Sequence, residues 1–387
     1  MELHAADPIV LANAQVVAAD RAFPGWVAVV DGRIVEVGEG RGPKGAVDCQ
    51  GDFLLPGLVE LHTDHLEAHF MPRPRVFWHA GSAVMAYDAQ IAAAGITTVF
   101  DSFRLGIDEH EDWRSGAGEQ VMTLAAAIER ARAADLLRAD HQTHLRCEVP
   151  SLNVVESFED FLGRHAAQLV SLMDHTPGQR QFRDLEKYFI YYQGKTGKSE
   201  RELTEVVRER QRVGRERAEA NRPRVVALAR AHGLTLASHD DTTLEDVELA
   251  KQEGVHIAEF PTTPEAAAAS REAGMATVMG APNVVRGGSH SGNASARDLA
   301  EAGLLDILSS DYVPAALLMA AFRLADAPGV GGLAGAVRLV TKNPAEAAGL
   351  DDRGELVVGR RADLVRARAH HGEPVVRAVW REGIRVA

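Results

Sequence analysis

The sequence predicts a TIM-like (β/α)8 barrel of the α/β class, together with a small composite β-sandwich domain built from both chain ends. Two observations predict this fold. Short apolar runs alternate with Ala-rich helical runs through the middle of the chain, whereas both ends carry short strands without helices between them. We expect the sandwich domain over residues 1–53 plus 350–387 and the barrel over residues 54–349.

The two ends of the chain show the apolar and polar alternation of antiparallel strands. Residues 8–53 form several such runs, with Asp31-Gly32 as a tight turn between two of them. The last 34 residues or so repeat this pattern, with Glu382-Gly383 as the turn. Because chain ends often lie close together in a folded domain, we expect both ends to join in one sheet domain.

The middle of the chain contains eight apolar runs that we predict to be the barrel strands. They are Leu54 to Leu61, Ile96 to Phe100, Thr143 to Val149, Leu169 to Met173, Leu234 to Ser238, His256 to Phe260, Ala276 to Met279 and Leu305 to Leu308. Ala-rich helical runs between them indicate helical crossovers and therefore a parallel sheet. The highly charged stretch from Glu200 to Arg230 predicts an exposed helix pair that breaks at Pro223.

Composition excludes several classes of protein. A chain of 387 residues with 46% apolar and 25% charged residues is typical of a globular enzyme. Cys49 and Cys147 are the two cysteines, and their wide separation excludes a disulfide framework and a cysteine-based zinc site. The net charge of −13 argues against nucleic-acid binding. Because the sequence shows neither a run of about 18 apolar residues nor the pattern of a signal peptide, we expect a cytoplasmic protein that binds no membrane.

Metal-capable side chains follow several of the predicted strands. In a (β/α)8 barrel the active site lies where the strands end, and residues two apart on a strand, such as His62 and Asp64, face the same way. A single histidine or aspartate at a strand end is more often a helix cap or a hydrogen-bonded core residue, but here such residues follow several predicted strands. The predicted ligands are His62, Asp64, Glu148, His175, His239 and Asp311. They suffice for two divalent ions that share a carboxylate and leave one position open for water.

The segment PNVVRGGSHSGN, residues 282–293, has the features of an anion-binding loop. Gly287 and Gly288 let backbone N–H groups approach an anion, although a Gly-Gly pair alone is more often a plain turn. Side-chain donors surround these glycines and favour phosphate binding. The predicted substrate-binding residues of the segment are Arg286, Ser289, His290 and Asn293.

Further cations are candidates for binding the same anion. Arg104 follows the second predicted strand, and His144 precedes Glu148 on the third. The segment GKTGKS, residues 194–199, resembles a P-loop but precedes a charged helix instead of completing a nucleotide-binding fold, so we reject an ATPase. It is either a lid that brings Lys195 and Lys198 to a polyphosphate or a solvent-exposed loop.

These motifs are similar to those of the amidohydrolase superfamily. The resemblance includes the first strand ending in His-x-Asp, the later strand-end histidines, Asp311 and the phrase TKNPAEAAGLDDRGELVVGRRADLV. It implies a metal-dependent hydrolase, with zinc as the expected metal and manganese or iron as alternatives. The superfamily normally has His-x-His where this chain has Asp64, and it carries the later histidines on strands five and six. Our count places them on strands four and five, so either a strand is missing or Asp311 does not follow the eighth.

Within the superfamily, the segments LPGLVELHTDHLE, AGITTVFDS, HLRCE, YYQGKTGKSE and PNVVRGGSHSGN resemble the diphosphatases of the carbon–phosphorus lyase pathway. The resemblance covers nearly the whole chain. It implies that diphosphate is removed from a small, polyanionic sugar triphosphate, α-D-ribose 1-methylphosphonate 5-triphosphate, in phosphonate catabolism. A metal-activated hydroxide would attack, and Asp311 would accept a proton.

The sequence leaves two alternative functions open, and it also leaves the oligomeric state open. One alternative is another amidohydrolase, which acts on a cyclic amide or deaminates a small substrate. Such substrates carry little charge and would not require Arg286 beside Lys195 and Lys198. The other alternative is a catalytically silent binding protein on a barrel scaffold, which need not retain two ions. Association as a homodimer is also open.

Overall fold

The computed structural model describes residues 8–73, 76–106, 117–178, 199–289 and 292–387, with Arg180, Leu185, Phe189 and Gln193 between them. In these residues the chain forms two sheets of eight strands each, one from the chain ends and one from the middle. No helix in this part of the chain is both long and apolar enough to cross a membrane.

The chain begins with strands of the terminal sheet. They are β1 (Ile9–Val17), β2 (Ala22–Val30), β3 (Arg33–Glu39), β4 (Val47–Asp48) and β5 (Phe53–Pro56). The predicted turn at Asp31-Gly32 connects β2 to β3, and both of its residues have positive φ, 47° and 73°. This conformation is the one that a two-residue hairpin turn requires.

The parallel sheet follows, with its strands in chain order. The strands are β6 (Leu58–Thr63), β7 (Ile96–Leu105), β8 (Asp140–Glu148), β9 (Leu169–Met173), β10 (Thr235–His239), β11 (Ile257–Glu259), β12 (Ala276–Gly280) and β13 (Ile307–Ser309). A parallel bridge between Thr63 and Asp311 joins the first strand to the chain just after the last, so the sheet closes into a barrel. Apolar side chains such as Phe100, Leu169 and Ile257 fill the barrel interior.

Helices connect these strands and cover the outside of the barrel. They are α1 (His65–Phe70), α2 (Ala80–Ala93), α3 (Ala117–Ala133), α4 (Val154–Leu162), α5 (Glu200–Ala231), α6 (Leu244–Gln252), α7 (Pro264–Glu272), α8 (Ala281–Arg286), α9 (Ala296–Glu301), α10 (Ala316–Leu324), α11 (Gly332–Arg338) and α12 (Lys342–Ala347). Buried residues of these helices and of the outward strand faces form the largest apolar cluster in the described chain.

The last strands return to the terminal sheet. They are β14 (Leu364–His370), β15 (Glu373–Arg381) and β16 (Ile384–Arg385). Strand β14 pairs with β5, so the order across the sheet is β16-β15-β14-β5-β1-β2-β3, with β4 beside β1. Both chain ends therefore contribute to one sheet, as predicted. The limits of the two domains stay a prediction.

A buried ion-pair network links the start of β8 to the segment before β14. The Oδ2 atom of Asp140 lies 2.6 Å from Nη1 of Arg353 and 3.1 Å from Nη1 of Arg361. Arg353 also donates to the hydroxyl of Thr98 on β7, at 2.8 Å. The network therefore fixes the C-terminal segment against two barrel strands.

The predicted first strand, Leu54 to Leu61, was wrong as a single element. It divides at Gly57 into β5, which belongs to the terminal sheet, and β6, which belongs to the barrel. A Cβ atom at Gly57 would lie 2.1 Å from the hydroxyl of Thr97 and 2.9 Å from Cβ of Asp363. The chain thus changes sheets at a point where only glycine fits.

All eight predicted barrel strands have a counterpart between β6 and β13, which settles the strand count. Among the described residues the barrel sheet has these eight strands, and Asp311 follows the eighth by two residues. His175 follows the fourth strand and His239 ends the fifth. The sixth strand ends in Glu259 where the superfamily pattern has a histidine.

The predicted helix pair over Glu200 to Arg230 was also wrong. The stretch is one helix of 32 residues, α5, which continues through Pro223. Proline inside a helix costs about 3 kcal/mol through its missing N–H and its clash with the preceding turn. Burial of one face, including Leu203 and Val207 before the proline and Val225 after it, offsets this cost.

Candidate metal centre

Two histidines and one carboxylate meet where β6, β10 and β11 end. The Nδ1 atom of His62 lies 2.9 Å from Oε1 of Glu259, and Nδ1 of His239 lies 3.1 Å from Oε2 of the same carboxylate. All three side chains are at least 94% buried. The two imidazole rings are stacked, with centroids 5.5 Å apart.

The charges of this group suit metal binding. Burial alone would raise the pKa of Glu259, but the nearby His144 and the hydrogen bonds from His239 and Ser171 offset burial and lower it. Burial lowers the pKa of both His62 and His239 well below the ordinary value, so both imidazoles are neutral. Each then donates its Nδ1–H to Glu259 and has Nε2 available as a metal ligand.

A second histidine and carboxylate pair lies where β8 and β9 end. Glu148 accepts the backbone N–H of His175 at 2.9 Å and lies 2.7 Å from its Nδ1 atom. Nη2 of Arg104, from β7, lies 3.3 Å from the same carboxylate. Burial alone would raise the pKa of Glu148, but His175 and Arg104 together lower it well below its usual range. Glu148 is therefore ionised and orients His175.

Asp240 adds a carboxylate that the sequence analysis missed. Its Oδ2 atom lies 3.3 Å from Nε2 of His239 and 3.8 Å from Nε2 of His175. These three residues form one group in the described chain whose donor atoms are close enough to hold a metal ion, and His62, His144 and Glu259 form another. Neutral imidazole together with carboxylate is a donor set that fits zinc and similar divalent ions.

Asp64 and Asp311 lie near His62 without sharing one strand with it. Strand β6 ends at Thr63, so Asp64 is the N-cap residue of α1 and the two-residue alternation no longer applies. Its carboxylate is 39% exposed and lies 3.3 Å from Nη1 of Arg146. The backbone N–H of Asp311 donates to the carbonyl of His62 at 3.2 Å. Burial, and then the charge of Asp64, raise the pKa of Asp311 to about 7.

Glu60 fixes the position of Asp311. Its buried carboxylate accepts the backbone N–H of His62 at 2.7 Å and that of Ser310 at 2.5 Å. These hydrogen bonds hold the first strand against the residue before Asp311.

The six predicted ligands all lie at the ends of β6, β8, β9, β10 and β13, on the face where barrel enzymes carry their active sites. Their roles as ligands stay a prediction.

Among the predicted substrate-binding residues, Arg104 lies at the site and His144 lies beneath it. The Arg104 side chain is 16% exposed beside Glu148. His144 is completely buried, with Nδ1 2.9 Å from the carbonyl of Leu61 and Nε2 2.5 Å from the hydroxyl of Ser171. Burial lowers the pKa of His144 to about 3, so this histidine is neutral. A role for it in binding substrate stays a prediction.

The predicted anion-binding segment, residues 282–293, comprises most of α8 and the chain that follows it, so its first five residues are helical and not a loop. Gly287 and Gly288 have φ of 81° and 150°, and a Cβ atom at either would meet nothing within 4 Å. Arg286 is exposed, while Ser289 and Asn293 are partly buried. A Cβ atom at Gly280, where β12 ends, would lie 3.6 Å from Oδ2 of Asp311, so α8 starts beside this candidate ligand. Three predicted contacts, His290, Lys195 and Lys198, lie outside the described residues.

Arg210 is a further cation that the sequence analysis missed. It lies on α5, and burial, followed by the positive charge of Arg104, lowers its pKa to about 10. The two guanidinium groups are therefore close enough to repel each other. No sequence signal distinguishes Arg210 from the other arginines of this highly charged helix, because its proximity to Arg104 arises only on folding.

Comparisons with known proteins identify the family. The sequence profile of the Amidohydrolase family matches residues 136–386. The alpha-D-ribose 1-methylphosphonate 5-triphosphate diphosphatase of Escherichia coli (strain K12) is 46% identical over 383 residues, which cover 98% of this chain and 100% of the relative. A D-hydantoinase of Rhizobium radiobacter is 33% identical over 96 residues, which cover 24% of this chain and 19% of the hydantoinase.

Solved structures with low sequence identity share the fold. The N-isopropylammelide isopropylaminohydrolase of Burkholderia multivorans has a TM-score of 0.65 at 18% identity, over 98% of this chain and 97% of its own. A mutant N-acetyl-D-glucosamine-6-phosphate deacetylase of Mycobacterium smegmatis has a TM-score of 0.60 at 18% identity, over 98% and 99%. The predicted barrel with an added sheet domain is confirmed. The profile match and the Escherichia coli relative show that the chain belongs to the amidohydrolase family.

Proposed function

We propose that this chain removes diphosphate from α-D-ribose 1-methylphosphonate 5-triphosphate and releases α-D-ribose 1-methylphosphonate 5-phosphate. The reaction breaks one phosphoric anhydride bond and forms a bond between phosphorus and the oxygen of water. The observation that carries this proposal is the 46% identity to the Escherichia coli diphosphatase across 98% of the chain. That match confirms the hydrolase activity predicted from the sequence motifs, and it supports the predicted role in phosphonate catabolism.

The site favours a substrate with several negative charges. Arg104 lies beside Glu148, its positive charge acts on the buried Arg210, and Arg146 lies next to Asp64. Repulsion between Arg104 and Arg210 decreases when a polyanion binds between them, because charge-assisted hydrogen bonds to phosphate oxygens stabilise both groups. A neutral cyclic amide would provide no such stabilisation. The hydantoinase match over a quarter of the chain therefore gives the cyclic-amide alternative little support.

We further propose that the site holds two divalent metal ions, with zinc as the expected metal and manganese or iron as alternatives. The proposed ligands include His62, Asp64 and Asp311 on one side and His175 and His239 on the other, and Glu148 completes the set predicted from the sequence. When bound, the ions would supply an activated water and positive charge for the phosphoryl oxygens.

The chain's own residues would then bind and orient the substrate. Asp311, whose backbone N–H donates to the first strand, would accept the proton of the attacking water. Arg104 and Arg210 would hold the phosphates, and Arg286 at the end of α8 and Ser289 and Asn293 after it are further predicted contacts. His290, Lys195, Lys198 and His144 remain predicted contacts, and the cytoplasmic location and the homodimer also stay predictions.

Phosphorus NMR of the products tests the function. Metal-loaded protein incubated with α-D-ribose 1-methylphosphonate 5-triphosphate should yield diphosphate and the 5-phosphate in equal amounts. Dihydrouracil and hydantoin, offered at the same concentration, test the cyclic-amide alternative and should remain intact. Release of inorganic phosphate alone, or hydrolysis of a cyclic amide with the triphosphate untouched, would contradict the proposal.

A further inference from the structure

Asp240 is a buried carboxylate with an oxygen that lacks a hydrogen-bond partner among the described residues. Its side chain is 5% exposed, and its Oδ2 atom accepts no hydrogen bond from them. A buried carboxylate oxygen without a partner is costly, since it has lost its hydration. The neighbouring Asp241 differs, because Arg180 donates to its Oδ1 at 2.7 Å and Ser238 donates to its Oδ2 at 2.5 Å.

Two imidazole nitrogens lie close to this oxygen. Nε2 of His239 lies 3.3 Å away and Nε2 of His175 lies 3.8 Å away. The Nδ1 atoms of these histidines already contact Glu259 and Glu148. Ligand atoms around a tetrahedral zinc ion, each about 2.0–2.2 Å from it, lie roughly 3.2–3.6 Å apart. The two distances are close to this separation.

The backbone at Asp240 is held in an unfavourable conformation. Its φ is 56°, in the left-handed region that non-glycine residues rarely adopt. Two contacts maintain it: Arg180 donates to the carbonyl of His239 at 2.8 Å, and the N–H of Asp240 donates to the carbonyl of Glu259 at 2.9 Å. Such strain concentrates at functional sites, where a particular side-chain direction is required.

We propose that Asp240 is a metal ligand, whose Oδ2 atom forms a three-residue site with the Nε2 atoms of His175 and His239. In this arrangement Glu148, which belongs to the ligand set predicted from the sequence, would position His175 instead of binding the ion, because its two oxygens already contact the backbone N–H and Nδ1 of that histidine. This inference rests on the metal dependence in the proposed function. It adds a ligand, Asp240, that is not among the six that the sequence predicts. The fourth position of the ion is open for water or a phosphate oxygen.

Zinc binding by the Asp240→Asn variant tests the proposal. Metal content per chain and zinc affinity, measured by chelator competition, should be compared with those of the wild-type protein. We expect one zinc fewer per chain, or an affinity more than about 100-fold lower, since loss of an outer-shell partner already costs 10–100-fold. The control is Asp306→Asn, which removes a carboxylate that already has hydrogen-bond partners at the opposite, N-terminal end of the barrel strands and should retain the metal.

Thermal unfolding with and without EDTA separates a ligand from a structural residue. Metal-free Asp240→Asn should unfold at or above the temperature of metal-free wild type, because the variant removes an unpartnered buried carboxylate. Zinc should raise the unfolding temperature of wild type by more than that of the variant. Unchanged zinc content and affinity in Asp240→Asn, or a metal-free variant much less stable than metal-free wild type, would overturn the ligand role. Neither result would affect the proposed reaction, which the wild-type product analysis tests separately.

Discussion

His62 on the first barrel strand and Glu259 on the sixth are joined across the barrel by a contact of 2.9 Å between Nδ1 and Oε1. The other oxygen of the same carboxylate lies 3.1 Å from Nδ1 of His239 on the fifth strand. One residue therefore sets the tautomer and ring orientation of two candidate ligands. In the superfamily pattern the sixth strand carries a histidine, so this chain has an orienting carboxylate in its place.

The Glu259→Gln variant should bind metal more weakly and still fold. Glutamine keeps one acceptor oxygen and presents an NH2 group to the second histidine, so one of the two Nδ1–H donors loses its partner. We expect a loss of about 10–100-fold in metal affinity, the usual effect of removing such a partner. Chelator competition measures it, with the exposed Glu272→Gln as control. Wild-type affinity in Glu259→Gln would show that the carboxylate does not act through the histidines.

The Asp311→Asn variant should fold normally and lose turnover. Asparagine has the size of aspartate but cannot accept the proton of the attacking water, and a positioned general base contributes about 10²–10⁴-fold. We therefore expect kcat for diphosphate release to fall by at least about 100-fold, with little change in circular dichroism. Asp326→Asn, a change at an exposed aspartate, is the control. Turnover within about tenfold of wild type would remove Asp311 from this role.

Local sequence patterns were enough to predict the eight barrel strands, whereas the position of Asp311 after the eighth strand stayed open until the structure gave the strand count. Most of these strands contain a buried apolar run between helical segments, which a periodicity argument detects directly. The division of the first strand at Gly57 was not predictable in this way. The apolar run continues through it, and only the close approach of Thr97 and Asp363 shows where the chain changes sheets.

The sequence analysis missed Glu259 and Asp240 for different reasons. Glu259 ends a predicted strand and had the same signal as Glu148, so the strand-end rule could have found it. Asp240 follows His239 directly, and strand alternation predicts that it faces away from the site. Its left-handed backbone reverses that direction, and sequence alone does not reveal it.

The Asp140→Ala variant should be strongly destabilised. Asp140 is paired with two largely buried arginines, Arg353 and Arg361. Its removal takes away a negative charge that stabilises both guanidinium groups. Breaking a buried pair in this way costs about 3–5 kcal/mol in free energy of unfolding. Urea denaturation measures the change. The control is Asp160→Ala, which removes an exposed pair with Arg164 and should cost less than about 1 kcal/mol. Equal effects of the two variants would contradict a stabilising role for the buried network.

The stability of the metal-free protein should decrease as pH rises from about 7 to 10, because of His141. Burial alone would lower the pKa of this histidine, but Asp101 and then Asp88 offset burial and raise it to about 9. Its Nδ1 lies 2.9 Å from Asp101 and its Nε2 3.3 Å from Asp88. The folded protein therefore binds a proton that the unfolded chain, with an ordinary histidine pKa of about 6.5, releases.

Because the folded protein binds this proton more tightly than the unfolded chain, the free energy of unfolding falls as pH rises. The contribution of His141 to stability is fully present below pH 6.5 and is lost as pH rises through 9, and its size is roughly 3 kcal/mol. Urea unfolding of the wild type in EDTA at several pH values measures the slope without requiring a variant to fold. His141→Gln should flatten the slope, whereas the exposed His370→Gln should leave it unchanged. A wild-type stability that is constant or rises between pH 7 and 10 would mean that His141 is not protonated in the folded protein.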